Sequence, residues 1–235
     1  MARQIGILAC SAEGAALCYQ TICRESPARM GSFFHPVITM HTFPLGSYIK
    51  AISSNDWDAV AALMESSAGI LAAAGAQIII CPDNTIHQAF EKIRKKDDTI
   101  WLHIAEEVVR KAAKQNFKKL GILGTQYLME GPVYPQVLEK FGIEYKIPAP
   151  ETRKRINDFI FTELVNGIFL TETRLYFEHQ INKLKERSCD AVILGCTEIP
   201  LIVNPDTVAL PTLDSTRILA RAALDAALQE EQNKK

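Results

Sequence analysis

The segment AQIIICPDNTIH, from Ala76 to His87, indicates the fold of this chain most directly. Its three consecutive isoleucines, followed by Cys81, are typical of a short strand that is buried on both faces. The polar residues Asp83, Asn84 and Thr85 come directly afterwards, and residues of this kind often begin a helix. A buried strand that leads straight into a helix is the basic unit of a parallel α/β sheet.

The same pattern recurs later in the chain. In CDAVILGCTEIP, from Cys189 to Pro200, an apolar run ends at a Cys-Thr pair that begins with Cys196. A related segment stands upstream of each pattern, QIGILACSAEGAALCY in the first half and KKLGILGTQYLMEGPVY in the second. Gly6 lies as far before Cys81 as Gly121 lies before Cys196. This spacing indicates an internal repeat.

The repeat predicts an α/β protein with two similar halves, each a doubly wound, flavodoxin-like parallel sheet with helices on both faces. We assign residues 1–103 together with 208–235 to the first half and residues 104–207 to the second. We expect a pseudo-twofold axis to relate the halves, and ligands of open parallel sheets bind at the carboxyl ends of the strands. The expected active site therefore lies in the cleft between the halves, where the turn at Asp83 faces the turn at Cys196.

The composition narrows the classes of partner. The chain has 235 residues, of which 26 are basic and 27 acidic, and its formal net charge is −1. A charge so close to zero gives no electrostatic reason to expect nucleic acid or a membrane as partner. The first apolar run is interrupted by Ser11 and Glu13, unlike that of a signal peptide, and no stretch approaches the roughly 18 apolar residues of a membrane span. We therefore expect a cytoplasmic protein that binds a small molecule.

The six cysteines form neither a zinc-binding pattern nor a disulfide framework. They lie mostly within apolar segments, and none of them forms a CxxC pair. We therefore expect reduced thiols and no metal site.

Two opposed sets of polar groups suit a reaction at a single carbon atom. Moving the α-proton of an amino acid from one face of Cα to the other requires an acid/base group on each face and N–H donors at the carboxylate. A thiol suits this task because its ordinary pKa of about 8.5 is lowered toward neutrality at a helix N-terminus. Such an arrangement needs no cofactor.

Three segments resemble motifs of the pyridoxal-phosphate-independent aspartate/glutamate racemase family, also called the Asp/Glu/hydantoin racemases. They are CSAEGAALCY near the N-terminus, Asn84-Thr85 with His87 in the first half, and Gly195-Cys196-Thr197-Glu198 in the second. The resemblance covers nearly the whole chain, including GTQYLMEGPVY and RINDFIFTEL. It implies that Cys196 donates and accepts a proton, that no cofactor takes part, and that the protein is a homodimer.

The first half departs from the family pattern at one position. Where the family usually has a catalytic cysteine immediately before Asn-Thr, this chain has Asp83, and Cys81 lies two residues earlier. An unperturbed aspartate is a weaker base than a thiolate by roughly 4.6 pKa units, or about 6 kcal/mol of driving force. Burial or a nearby negative charge recovers part of this difference. Asp83 is then either the acid/base group opposite Cys196 or an ionised group that binds the substrate's ammonium.

The resemblance also implies a set of residues that bind the substrate. They are Ser11, Glu13, Asn84, Thr85, Thr125, Tyr127, Arg155, Thr197 and Glu198. We expect Asn84, Thr85 and Thr197 to bind a carboxylate through backbone N–H and hydroxyl groups. Arg155 is placed to pair with a side-chain carboxylate, whereas Ser11 equally suits the cap of the helix that follows it.

We therefore predict an isomerase, a cofactor-independent amino-acid racemase or epimerase that acts on a small dicarboxylic amino acid, aspartate or glutamate. The proton moves at Cα between Cys196 and Asp83. Two alternatives stay open. One is a single-cysteine decarboxylase or isomerase of the same superfamily, favoured if Asp83 cannot accept a proton. The other is a non-catalytic protein that binds an amino acid or another carboxylate.

Overall fold

The computed structural model describes residues 2–93 and 99–229 of the chain. Its backbone contacts define two compact units, the first from the start to Ile104 together with the residues from Thr216 onward, and the second from Ala105 to Ser215. Each unit contains a parallel sheet in which the described residues form four strands. The predicted α/β class with two similar parallel-sheet halves is therefore confirmed.

The two sheets have the same strand order. In the described parts of the chain the strands are β1 (Ile5–Ala9), β2 (Ile38–Thr42), β3 (Ile78–Ile80), β4 (Ile100–Leu102), β5 (Lys119–Leu123), β6 (Glu144–Lys146), β7 (Ala191–Leu194) and β8 (Thr212–Asp214). The first sheet has the order β2-β1-β3-β4 and the second β6-β5-β7-β8, and all neighbouring pairs are parallel. The repeat in the sequence is thus a repeat of topology, in which β1 corresponds to β5 and β3 to β7.

Helices connect these strands. Within residues 2–93 and 99–229 they are α1 (Ala12–Glu25), α2 (Pro27–Met30), α3 (Leu45–Ser53), α4 (Trp57–Ala73), α5 (Ile104–Lys114), α6 (Gln126–Glu130), α7 (Val133–Lys140), α8 (Pro150–Thr162), α9 (Thr171–Glu186), α10 (Ile199–Ile202) and α11 (Ser215–Leu228). Two 3₁₀ helices, Thr85–Lys92 and Leu164–Asn166, lie among them. In this part of the chain no helix combines the length and apolarity that crossing a membrane requires.

Short polar side chains begin two of the helices in the first unit. The Ser11 hydroxyl accepts a hydrogen bond from the N–H of Gly14 at 3.3 Å at the start of α1. The Asp56 carboxylate accepts one from the N–H of Ala59 at 2.9 Å at the start of α4. Each bond satisfies a backbone donor that the helix itself leaves without a partner.

The first sheet is covered on both faces because side chains alternate along its strands. Ile78 and Ile80 of β3 belong to a buried cluster with residues of α1 and α11. Ile79, between them, belongs to a second cluster with Met64 and Leu71 of α4. β3 is therefore buried on both faces along its whole length. Because polar residues cannot occupy these positions at low cost, the polar turn begins only after the strand has ended.

Two fully buried tyrosines provide a stability test of this core. Burial raises the pKa of Tyr48 and of Tyr134 far above the ordinary value, so both remain neutral phenols. The Tyr134 hydroxyl hydrogen-bonds to the Ser215 side chain, whereas the Tyr48 hydroxyl has no hydrogen-bond partner among the described residues. A buried hydroxyl without a partner costs free energy that phenylalanine would not.

We expect Tyr48→Phe to raise the free energy of unfolding by about 1 kcal/mol and Tyr134→Phe to lower it by about 1 kcal/mol. Urea denaturation of the two variants and the wild type measures both changes, and each variant serves as the matched control of the other. A loss of stability in Tyr48→Phe would show that its hydroxyl is satisfied after all.

Candidate active site

The turn after β3 is ordered by the carboxylate of Asp83. Asp83 Oδ1 accepts a hydrogen bond from the backbone N–H of Ile86 at 3.1 Å, so this half-buried side chain caps the 3₁₀ helix Thr85–Lys92. Asn84 and Thr85 are buried, at 2% and 8% exposure. The three polar residues predicted here thus lie together at the carboxyl end of a central strand.

His87 stabilises this turn through both of its ring nitrogens and is a structural residue. Its Nδ1 lies 2.6 Å from the carbonyl oxygen of Asp83, and its Nε2 lies 3.3 Å from the backbone nitrogen of Ile104. Because the N–H of Ile104 donates to Nε2, Nδ1 must carry the proton and donate to the carbonyl of Asp83. The neutral ring therefore fixes the backbone of Asp83.

Cys81 is a core residue rather than a second reactive thiol. Only 1% of its surface is exposed. Burial raises the pKa of the Cys81 thiol well above its ordinary value, and the negative charge of Asp83 raises this pKa further. Cys81 therefore stays protonated near neutral pH and does not act as a thiolate.

The turn after β7 places two polar side chains, Cys196 and Thr197, around the carboxylate of Glu198. The Cys196 thiol donates to Glu198 Oε2 at 2.9 Å, and the Thr197 hydroxyl donates to the same oxygen at 3.0 Å. Exposure is 9% for Cys196, 3% for Thr197 and 1% for Glu198. Glu198 Oε1 has no hydrogen-bond partner within residues 2–93 and 99–229. The thiol thus donates its hydrogen bond to a buried carboxylate.

Gly195 allows this turn to approach the end of β5. The N–H of Gly195 donates to the carbonyl of Leu123 at 2.7 Å. A Cβ at position 195 would lie 2.5 Å from Leu128 Cδ2 and 3.0 Å from the oxygen of Leu123. Only glycine fits here without displacing backbone, and the fit sets Cys196 next to the loop that follows β5.

The loop after β5 carries two further predicted residues. The Thr125 hydroxyl, 8% exposed, accepts from the N–H of Leu128 at 3.1 Å and caps α6. Tyr127 lies two residues further on and is 39% exposed. The N–H of Gln126 donates to Asn157 Oδ1 on α8 at 3.0 Å. Sequence reasoning missed Asn157, although it lies within the segment RINDFIFTEL that carried part of the resemblance.

The remaining predicted residues are Ser11, Glu13 and Arg155. Ser11 is buried and caps α1, and Glu13 is half-buried in the first turn of that helix. Arg155 is exposed on α8, and its guanidinium lies 5.5 Å from the ring centre of Phe159 and 4.9 Å from that of Tyr176. These rings hold Arg155 by cation–π contacts; its pairing with a substrate carboxylate stays a prediction.

Apart from Arg155 on α8, the predicted residues of each unit therefore collect at one edge of the sheet. In the first unit they follow β1 and β3, which are neighbours, and in the second unit they follow β5 and β7, also neighbours. In the described residues no group of three or more His, Cys, Asp or Glu side chains is arranged to hold a metal ion. The sites that the two units offer are thus built from hydroxyl, amide, carboxylate and thiol groups.

The chain has two parallel sheets of the same topology, with polar residues after their central strands. Known structures of α/β proteins share this architecture. A Yersinia pestis protein assigned to the Asp/Glu racemases has 32% identity and a TM-score of 0.86, over 97% of this chain and 100% of that one. An aspartate racemase homologue from Pyrococcus horikoshii has 26% identity and a TM-score of 0.82, over 96% and 99% of the two chains.

Sequence comparison gives the family. Residues 7–223 match the family profile of the Asp/Glu/hydantoin racemases, so the chain belongs to that family. The broad specificity amino-acid racemase RacX of Bacillus subtilis is 25% identical over 154 residues, which are 66% of this chain and 66% of RacX. The matches span about two thirds or less of the length of the first curated relatives. Racemases, as these relatives are named, are isomerases.

Proposed function

We propose that this protein is a cofactor-independent racemase or epimerase of a small dicarboxylic amino acid, aspartate or glutamate. Membership of the Asp/Glu/hydantoin racemase family supports the reaction class, and the Pyrococcus horikoshii aspartate racemase homologue supports the substrate class. A homodimer and a cytoplasmic location are part of the proposal; the first rests on the family resemblance, and the second on the interrupted first apolar run and the pattern of the cysteines.

The observation that carries the proposal is the equivalent position of Asp83 and Cys196. Asp83 follows β3 and Cys196 follows β7, and these are the third strands of two sheets with the same order. We propose that the two residues approach one substrate Cα from opposite faces, as the duplication of the fold suggests. A proton-transfer group on each face is what inversion at a carbon atom requires.

In one direction of the proposed reaction, the Asp83 carboxylate takes the α-proton and the Cys196 thiol delivers its proton to the other face. The products are a protonated Asp83 and a Cys196 thiolate, so the enzyme must exchange protons before it repeats the same direction. In the opposite direction the thiolate takes the α-proton and the Asp83 acid delivers one. Solvent hydrogen therefore enters the product at Cα.

Glu198 has a role in this scheme besides the predicted substrate binding. Its Oε2 already accepts the thiol hydrogen of Cys196 and the hydroxyl hydrogen of Thr197. We propose that Glu198 fixes the position of the Cys196 sulfur through this hydrogen bond. The burial of Glu198 at 1% exposure supports this role, because charge–dipole interactions are strong where water is excluded.

The substrate's α-carboxylate is proposed to bind at the two turns. Asn84, Thr85 and Thr197 offer backbone N–H and hydroxyl donors there. Ser11, Glu13, Thr125 and Tyr127 would line the remaining walls, and Arg155 would pair with the side-chain carboxylate. An oxyanion stabilised by such fixed donors is how an enzyme lowers the barrier to forming an α-carbanion without a cofactor.

Proton NMR in D₂O tests the function. L-aspartate, D-aspartate, L-glutamate and D-glutamate are incubated separately with the protein, the α-proton signal is followed, and the product enantiomers are separated by chiral chromatography. We expect loss of the signal together with inversion for at least one of the amino acids. Exchange with retention would instead favour the single-cysteine alternative. No exchange with any of the four would overturn dicarboxylic amino-acid racemisation.

A further inference from the structure

A cavity in the second unit lies between the start of α8 and the last two turns of α9. Its volume is about 320 Å³, at the lower end of the range for small-molecule sites, roughly 300–1,000 Å³. None of the residues that line it belongs to the turns after β5 or β7. The cavity is therefore a separate feature from the candidate active site.

Basic side chains line one wall of this cavity. His179, Lys183 and Arg187 belong to that wall, and no aspartate or glutamate is among the described residues that line the cavity. Arg187 Nη1 donates to the carbonyl of Ile147 at 2.7 Å, which holds the guanidinium against the loop before α8. Lys183 pairs with Glu186 at 2.9 Å, but both side chains are more than half exposed, so an anion is able to compete for Lys183.

The opposite wall is the N-terminus of α8, a helix of 13 residues. The N-cap residue is Ala149, which makes no side-chain capping bond, and Pro150 occupies the first helical position. The N–H groups of Glu151 and Thr152 therefore receive no acceptor from the cap, and the helix dipole adds a partial positive charge at this end. Both Ala149 and Thr152 line the cavity.

Gln180 provides an independent indication of a ligand. Its side chain lines the cavity and is only 9% exposed, and within residues 2–93 and 99–229 it makes no side-chain hydrogen bond. Its amide group is open to the cavity, where water or a bound group can complete its hydrogen bonds. Its NH₂ offers two donors beside the two cationic side chains.

From these contacts we infer that the α8–α9 cavity is a binding site for a small organic anion with two or more negative charges. Lys183, Arg187 and the α8 N-terminus supply the positive charge, and Thr152 and Gln180 supply neutral hydrogen-bond donors. The chemistry recognised is a set of anionic oxygens, carried either by a phosphate group or by several carboxylates. The site does not depend on the proposed racemase activity.

Two-dimensional ¹H–¹⁵N NMR of the full chain tests the site with inorganic phosphate and with citrate, at an ionic strength held constant with NaCl. We expect saturable shifts of the backbone amides of Glu151 and Thr152 and of the side-chain amide of Gln180. Saturation with phosphate alone would identify a phosphate site, and saturation with citrate alone a polycarboxylate site. Shifts that do not saturate, or that NaCl reproduces, would overturn the inference.

Three variants make this test specific. Gln180→Leu and the double variant Lys183→Gln/Arg187→Gln should each weaken binding by at least about tenfold. Lys185→Gln, a control on the same helix outside the cavity, should bind as the wild type does. Because citrate could also enter the candidate active site, equal binding by the wild type and the double variant would place the anion elsewhere and contradict the inference.

Discussion

Replacement of Cys196 by serine is expected to lower the rate of α-proton exchange about 10³-fold, within the range that a positioned acid/base group contributes. A serine hydroxyl keeps the geometry and can donate to Glu198 as the thiol does. It is, however, a far weaker acid than a thiol and cannot hold the negative charge that proton transfer leaves behind. The measurement is the exchange rate in D₂O, with circular dichroism to verify the fold.

Two further variants decide which residue of the first unit cooperates with Cys196. Asp83→Asn removes the charge but keeps the cap on Ile86, because asparagine caps helices as well as aspartate does. If Asp83 is an acid/base group, kcat and kcat/KM should fall together by at least about 10²-fold. If it binds the ammonium instead, KM should rise while kcat changes little.

Cys81→Ser is the matched control at the same strand end. Because Cys81 is buried and its pKa is raised well above the ordinary value, we expect the variant to keep the exchange rate within a few fold. A loss in Cys81→Ser as large as that in Cys196→Ser, with an intact fold, would make Cys81 the second acid/base residue and contradict the assignment of Asp83.

The fold was predictable to the extent that local pattern determines it. β3 and β7 are continuous apolar runs that end at polar turns, and such runs are typical of central strands of a parallel sheet. The edge strand β4 (Ile100–Leu102) was not predicted. It has three residues and is only partly buried, so it shows neither a long apolar run nor a clear alternation.

The sequence predicted where in the fold the candidate residues lie, but not the contacts that they make. Asp83, Thr125 and Cys196 could be named because polar residues after buried strands lie at one edge of a parallel sheet. The hydrogen bond between Asn157 and Gln126 joins α8 to a residue 31 positions away, and no local sequence pattern predicts such a contact. The burial of Glu198 against the Cys196 thiol likewise depends on the surrounding core, which the sequence does not display.

The glycine that begins the repeated Gly-Ile-Leu segment has a packing role in both units. A Cβ at Gly6 in β1 would lie 2.8 Å from Ala76 Cβ and 3.2 Å from Leu71 Cβ. A Cβ at Gly121 in β5 would lie 2.6 Å from Leu184 Cδ1. In both sheets the glycine therefore lets the residues of a covering layer approach the strand directly, which accounts for its recurrence at equivalent positions.

We expect Gly6→Ala to lower the free energy of unfolding by about 2–3 kcal/mol, as overpacking of a filled core does. The Cβ of Ala76 is fixed to the backbone and cannot rotate away, so relief requires the chain after α4 to move from β1. Gly69→Ala is the matched control within the same unit. Gly69 lies inside α4, and apart from the neighbouring backbone of that helix no described atom lies within 4 Å of the position that an alanine Cβ would take there. The free energy of unfolding of that variant should rise by about 1 kcal/mol, because alanine is more favourable than glycine in the interior of a helix. Urea denaturation, analysed with the same m-value for all three proteins, measures both changes. A Gly6→Ala protein as stable as the wild type would show that β1 and the covering layer do not need this close approach.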